Sequence, residues 1–121
     1  MKSAYADLLV GISHVLEGHA DRAIAFLQPR LATAERELGR RSALAAMLAG
    51  PLAAAYLLHG DADAALETLA GRVDVIERGG LPDPAVLAYR TLAAIALKHG
   101  DEARAVEILA ALHEFGVRRR L

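Results

Sequence analysis

Apolar residues return along this chain at helical spacing, and three times they do so around one short phrase. "GHADRAIAFL" begins at Gly18, "GDADAALETL" at Gly60 and "GDEARAVEIL" at Gly100, the glycines lying 42 and 40 residues apart. Five residues after each glycine stands Ala23, Ala65 or Ala105, and nine residues after it Leu27, Leu69 or Leu109. Upstream, Val10, Leu52 and Leu92 precede the glycine by eight residues and are followed by the small residues Gly11, Ala53 and Ala93. Self-similarity at a period of roughly 20–50 residues is the signature of stacked repeats. The apolar rows and the stop signals predict six helices, over about 3–17, 21–38, 42–59, 62–78, 84–99 and 101–115.

Each part of the phrase has a physical task. The glycine can take a left-handed conformation and end the first helix of a pair. Asp61 and Asp101, directly after it, can cap the next helix by accepting a free backbone N–H. The small residues let two antiparallel helices approach, and the leucine fills the space between units. A lone hairpin would leave an apolar face in water, and stacking buries it. The expectation is an all-α fold of three stacked antiparallel helix hairpins in one domain over 1–121, with repeats at about 3–39, 42–80 and 83–116. "GGLPDP" (79–84) reads as the clearest break, with Asp83 as cap and Pro84 in the first turn. Pro29 and Pro51 fall inside helices two and three, where kinks are expected.

Composition narrows this picture. Hydrophobic residues make up 55% of the 121 residues but aromatics only 4%, so the core is built from Ala, Leu, Val and Ile. Ala and Leu favour helix. A net charge of -1 gives no electrostatic attraction to nucleic acid or anionic membrane. Without cysteine there is neither a disulfide framework nor a thiolate metal site. The uncharged run from Ala43 to Leu58 is broken by Gly50-Pro51 and is shorter than the about 20 residues a spanning helix needs. It reads as a buried core helix. The N-terminus carries Asp7 within its apolar run and no cleavage pattern of a signal peptide. The expectation is a soluble, cytoplasmic chain.

The small residue, glycine, alanine and bulky apolar residue at these offsets resemble the tetratricopeptide repeat (TPR), whose usual form is 34 residues long. Here the unit is longer, the extra residues fall in second helices such as "FLQPRLATAERELG", and the closing proline is missing. Longer repeats of this kind are similar to the sensor region of LuxR-family transcriptional regulators of the ATP-dependent, maltose-activator type. The segment "LAGRVDVIERGGLPDPAVLAYRTLAAIAL" (69–97) carries that similarity best. The resemblance implies a bacterial, non-enzymatic TPR-like superhelix that receives an inducer or a regulatory protein. Such a region sits between a nucleotide-binding module and a helix-turn-helix. Neither module is present here: there is no GxxxxGK[ST], and only "VRRRL" follows Gly116. A stand-alone adaptor that binds peptides and self-associates is the competing reading.

Candidate chemistry is sparse. His59 and His99 share one repeat position, so they should lie about 8–10 Å apart, too far to share an ion held at about 2 Å per ligand. A polar group at a helix C-terminus explains them, and no metal or other cofactor is expected. His14 and Tyr56 fall on inner positions that suit core packing. Ser3, Ser13 and Ser42 lie in no nucleophile elbow, and no enzyme is expected. Glu35, Glu37, Glu67, Glu77 and Glu107 read as solvated outer faces, Asp74–Arg78 as an i,i+4 pair, and Arg118 to Arg120 as a solvated tail or linker. First helices line the concave side of such stacks, which places Tyr5, Leu8, Ile12, Met47, Leu57, Arg90 and Lys98 there. Leu8, Ile12 and Leu57 suit packing between helices, which leaves Tyr5, Met47, Arg90 and Lys98 as candidate contacts for a protein, peptide or small-molecule partner. In the sixth helix, Leu109, Leu112 and Phe115 lie on an apolar stripe broader than one neighbour covers, which predicts a further helix or a second copy of the chain as a homodimer partner.

Overall fold

The computed structural model describes residues 4–79 and 81–119; Ser3, Gly80 and Arg120 lie outside them. Among the described residues there are seven α-helices and no strand: α1 (Ala4–Leu16), α2 (Ala20–Leu38), α3 (Ala43–His59), α4 (Ala62–Leu69), α5 (Val73–Arg78), α6 (Pro82–Lys98) and α7 (Glu102–Arg119).

The repeated phrase folds the same way three times. Gly18, Gly60 and Gly100 take φ values of +79°, +95° and +76°. In each turn the glycine N–H donates to the carbonyl three residues back (Val15, Leu57, Leu97), always at 3.0 Å. The next N–H donates to the carbonyl five residues back (His14, Tyr56, Ala96), always at 2.8 Å. These paired bonds satisfy carbonyls that a helix end otherwise leaves open. Asp61 and Asp101 then cap α4 and α7, accepting from Ala64 and Arg104 N–H at 3.0 Å. The first copy has His19 at this place, with no side-chain cap.

Consecutive helices pack on each other except α4 and α5, which each pack on α3 and α6, while α3 also touches α1 and α6. The helices that open the phrases therefore run α1–α3–α6, and each later one lies on the preceding second element: α3 on α2, and α6 on α4 and α5. Two glycines mark the closest approaches. A Cβ at Gly11 would meet the Leu27 side chain at 2.4 Å, and one at Gly50 the Pro84 carbonyl oxygen at 2.5 Å. One core cluster joins α2 and α3 through Leu27, Leu31, Leu48 and Leu52. The other joins α3 to α7 through Leu69, Ile76, Tyr89, Ile95 and Phe115, and Tyr56 packs against both.

Three expectations need correction. Helix four is two helices, split at Ala70–Arg72 with Gly71 at φ +72°, which makes seven rather than six. The carbonyls freed by the split are taken up by arginines from the α2–α3 turn. Arg40 donates to the Glu67 and Ala70 carbonyls at 2.9 Å each, and Arg41 donates to that of Gly71. Helix α6 starts at Pro82, so Leu81 is at the cap and Asp83 sits in the first turn, where a carboxylate suits the helix dipole. Helix α7 runs through Gly116 to Arg119, because Phe115 is buried and Arg118 and Arg119 are tied down. Pro29 and Pro51 lie inside α2 and α3.

Candidate ligand-binding face

The face formed by α1, α3 and α6 holds an open groove of about 440 Å³. Val15 closes it from the end of α1; Ala54, Leu57 and Leu58 line it from α3; Leu87, Arg90 and Thr91 line it from α6. Helical spacing explains the set, since residues three and four apart share a face: 54, 57 and 58 on one wall, 87, 90 and 91 on the other. The wall is aliphatic, and its one charged group is the guanidinium of Arg90. That side chain is exposed and has no carboxylate partner among the described residues.

Two other grooves differ in this respect. One of about 360 Å³ lies among Asp7, Arg30, Leu38, Leu44 and Leu48, but Arg30 is held by Asp7 at 3.4 Å and lies over the Phe26 ring at 3.6 Å. Another, of about 330 Å³, runs between α2, α3 and α4. There Gln28 donates to the Tyr56 hydroxyl at 2.9 Å. Arg72, 1% exposed, donates to Glu35 at 2.9 Å, to the Thr68 carbonyl at 2.7 Å and to the Arg40 carbonyl at 3.0 Å. Burial, with Arg40 nearby, lowers the pKa of Arg72 from its ordinary value. Those cations are already spent on the fold, whereas Arg90 faces an apolar groove with its charge uncommitted; Arg22, also without a carboxylate partner among the described residues, lines a more polar groove with His19, Asp21 and His59.

The four candidate contacts do not converge. Arg90 lines the groove. Tyr5 is exposed at the start of α1 and Lys98 is exposed at the end of α6, neither in the groove wall. Met47 is half-buried near Gly79, at the far end of the stripe that continues to Ala54. Of the residues expected to pack, Leu8 and Ile12 are buried and Leu57 packs against the core while contributing to the groove. On α7, Leu109 is exposed and Leu112 half-buried, but Phe115 is 1% exposed and belongs to the core. Its ring lies 6.3 Å from that of Tyr89, so it is no part of a free surface.

Several charges read as solvated are structural. Glu35 binds Arg72 and also Arg40, at 3.2 Å. Asp74 binds Arg41 at 2.8 Å more closely than Arg78 at 3.4 Å, and this pairing holds its carboxyl below the ordinary value. Glu77 accepts from the Tyr89 hydroxyl at 2.5 Å and from Arg118, while Arg119 donates to the Glu77 carbonyl at 2.5 Å. The tyrosine bond, then Arg118, lowers the Glu77 pKa; burial, then Glu77 itself, pushes Tyr89 up to about 12. Arg118 and Arg119 thus fasten α7 to α5 instead of forming a tail. Among the histidines, His59 lies 3.1 Å from Asp21 and His14 packs edge-on against Phe26. No group of three metal-ligating side chains occurs among the described residues, and none of their helices is long and apolar enough to cross a membrane.

Comparison with protein-family models, curated proteins and solved structures finds no match.

Proposed function

We propose that this chain is a non-enzymatic interaction module built from three TPR-like helix hairpins. It binds its partner in the groove of α1, α3 and α6, as the effector-sensing region of a LuxR-type bacterial regulator does. The observation that carries this reading is an aliphatic groove spanning all three repeats with one uncommitted cation, Arg90, in its wall. Apolar walls with one placed polar group are the usual make-up of a ligand site. The chemistry fits a ligand with an apolar body and a carboxylate: an acidic inducer, or an amphipathic segment of a regulatory protein with an acidic side chain. Because the groove spans helices from different repeats, occupation would favour one packing of the repeats over another. That is how a sensor passes binding on to domains elsewhere.

Decanoate, a simple apolar carboxylate, is a suitable probe in an NMR titration of the amide resonances. Shifts should cluster at residues 54–58 and 87–91, and Arg90→Ala should weaken binding about tenfold, the usual worth of one charge-assisted hydrogen bond. Shifts elsewhere, or binding indifferent to Arg90→Ala, would contradict the assignment.

A further inference from the structure

We infer that copies of this chain stack head to tail, the α1 face of one on the α7 face of the next, reproducing the contact the chain already makes twice within itself. The inference rests on the repeat reading but not on the groove at Arg90.

The two internal contacts share one register, although α3 packs on α2 more extensively than α6 does on α4, and Leu66 is still 37% exposed. Six and nine residues after the turn glycine stand Ile24 and Leu27 in α2, Leu66 and Leu69 in α4, and Val106 and Leu109 in α7. Leu27 is 0% exposed and Leu69 1%, because α3 and α6 respectively lie over them. Leu109, in the same register, is 46% exposed and Val106 66%. The first two leucines are enclosed between their own first helix and the next one, whereas α7 has no next first helix among the described residues to lie on it.

The complementary row is bare at the other end. Twelve, eight and five residues before the glycine stand Leu48, Leu52 and Ala55 in α3, all buried against α2. Their counterparts Ala88, Leu92 and Ile95 in α6 are buried or half-buried in the second cluster. On α1 the same row is Ala6, Val10 and Ser13, and all three are exposed, Val10 at 42% against 2% for Leu52. Leu9 and Leu16 widen this apolar face. The chain thus displays both halves of its own repeat interface, one at each end. The α7 row offers two large side chains, Val106 and Leu109, and the α1 row is smaller than the internal rows it corresponds to, with Val10 between Ala6 and Ser13.

A contact between unlike faces does not close on a dimer; it propagates until a face is blocked. Light scattering over a concentration series should therefore show the mass of the intact chain rising from 12.8 kDa without a plateau at twice that value. Val10→Asp blocks one face and Leu109→Asp the other. Both residues are exposed, so each variant should keep its helical circular dichroism and melting temperature. Each variant alone should be monomeric, and an equimolar mixture should give a 1:1 dimer and nothing larger. A wild type that stays at 12.8 kDa up to about 1 mM, the weak limit of specific association, overturns the proposal. So does self-association of either variant alone, which would mean a contact between like faces. None of these results bears on decanoate binding, so the two proposals fail separately.

Discussion

Arg72 brings a full charge into the interior, where its Nε donates to the Thr68 carbonyl and its Nη1 to Glu35 and the Arg40 carbonyl. Replacing it with a methionine of similar length keeps the packing but strands these acceptors. Glu35 retains Arg40 and is partly exposed, so Arg72→Met should cost about 2–3 kcal/mol in urea unfolding, below the cost of breaking a fully buried pair. A loss near zero would mean that the network contributes nothing net. Tyr89 gives a pH signature. Its folded pKa of about 12 lies above its ordinary 10.0. Between those values the folded chain keeps a proton that the unfolded chain has lost, so the contribution is intact below pH 10 and lost as pH rises towards 12. The urea midpoint should fall more steeply over that window in the wild type than in Tyr89→Phe; parallel profiles would contradict the Tyr89–Glu77 bond. Glu77 works in the opposite sense, its contribution present above the ordinary carboxylate pKa and lost as pH falls through the lowered one. These networks were not legible in the sequence. Arg72 and Glu35 are 37 positions apart and Arg118 and Glu77 41, and no local pattern marks such partners.

At the scale of elements, the glycines separate what sequence can and cannot say. The three turn glycines were legible because each is followed by a cap or its substitute and preceded by the same apolar row. Gly71 was not, since its break is held by Arg40 and Arg41 from another turn. Gly116 looked like a stop but lies inside α7, with nothing within 4 Å of a built Cβ. Gly116→Ala should therefore stabilise the chain by about 0.5–1 kcal/mol through helix propensity alone. Gly50→Ala should do the reverse. Its methyl would lie 2.5 Å from the backbone oxygen of Pro84, and backbone cannot swing aside as a side chain can. Forcing α3 from α6 should cost about 2–3 kcal/mol, in the range of core overpacking. Thermal melts of the two variants should move in opposite directions, and a shared sign would show that one of these helix placements is wrong.

For the whole molecule, the all-helical class followed from composition and periodicity, and the hairpin turns from the phrase itself. What covers each face did not follow, because identical letters meet different neighbours in the middle and at the ends of a row. Leu69 and Leu109 make this plain: one register, one residue type, 1% against 46% exposure. The repeated phrase builds a directional stack whose last face is bare, and one paired measurement tests this directly. Leu69→Ala and Leu109→Ala would be unfolded in urea at a concentration low enough to keep the chain monomeric. Leu69→Ala should cost about 3 kcal/mol, the typical penalty for emptying a buried leucine site, and Leu109→Ala less than about 0.5 kcal/mol, as for a surface substitution. Equal costs would mean that Leu109 is as well covered as Leu69, and the open-ended stack would have to be abandoned.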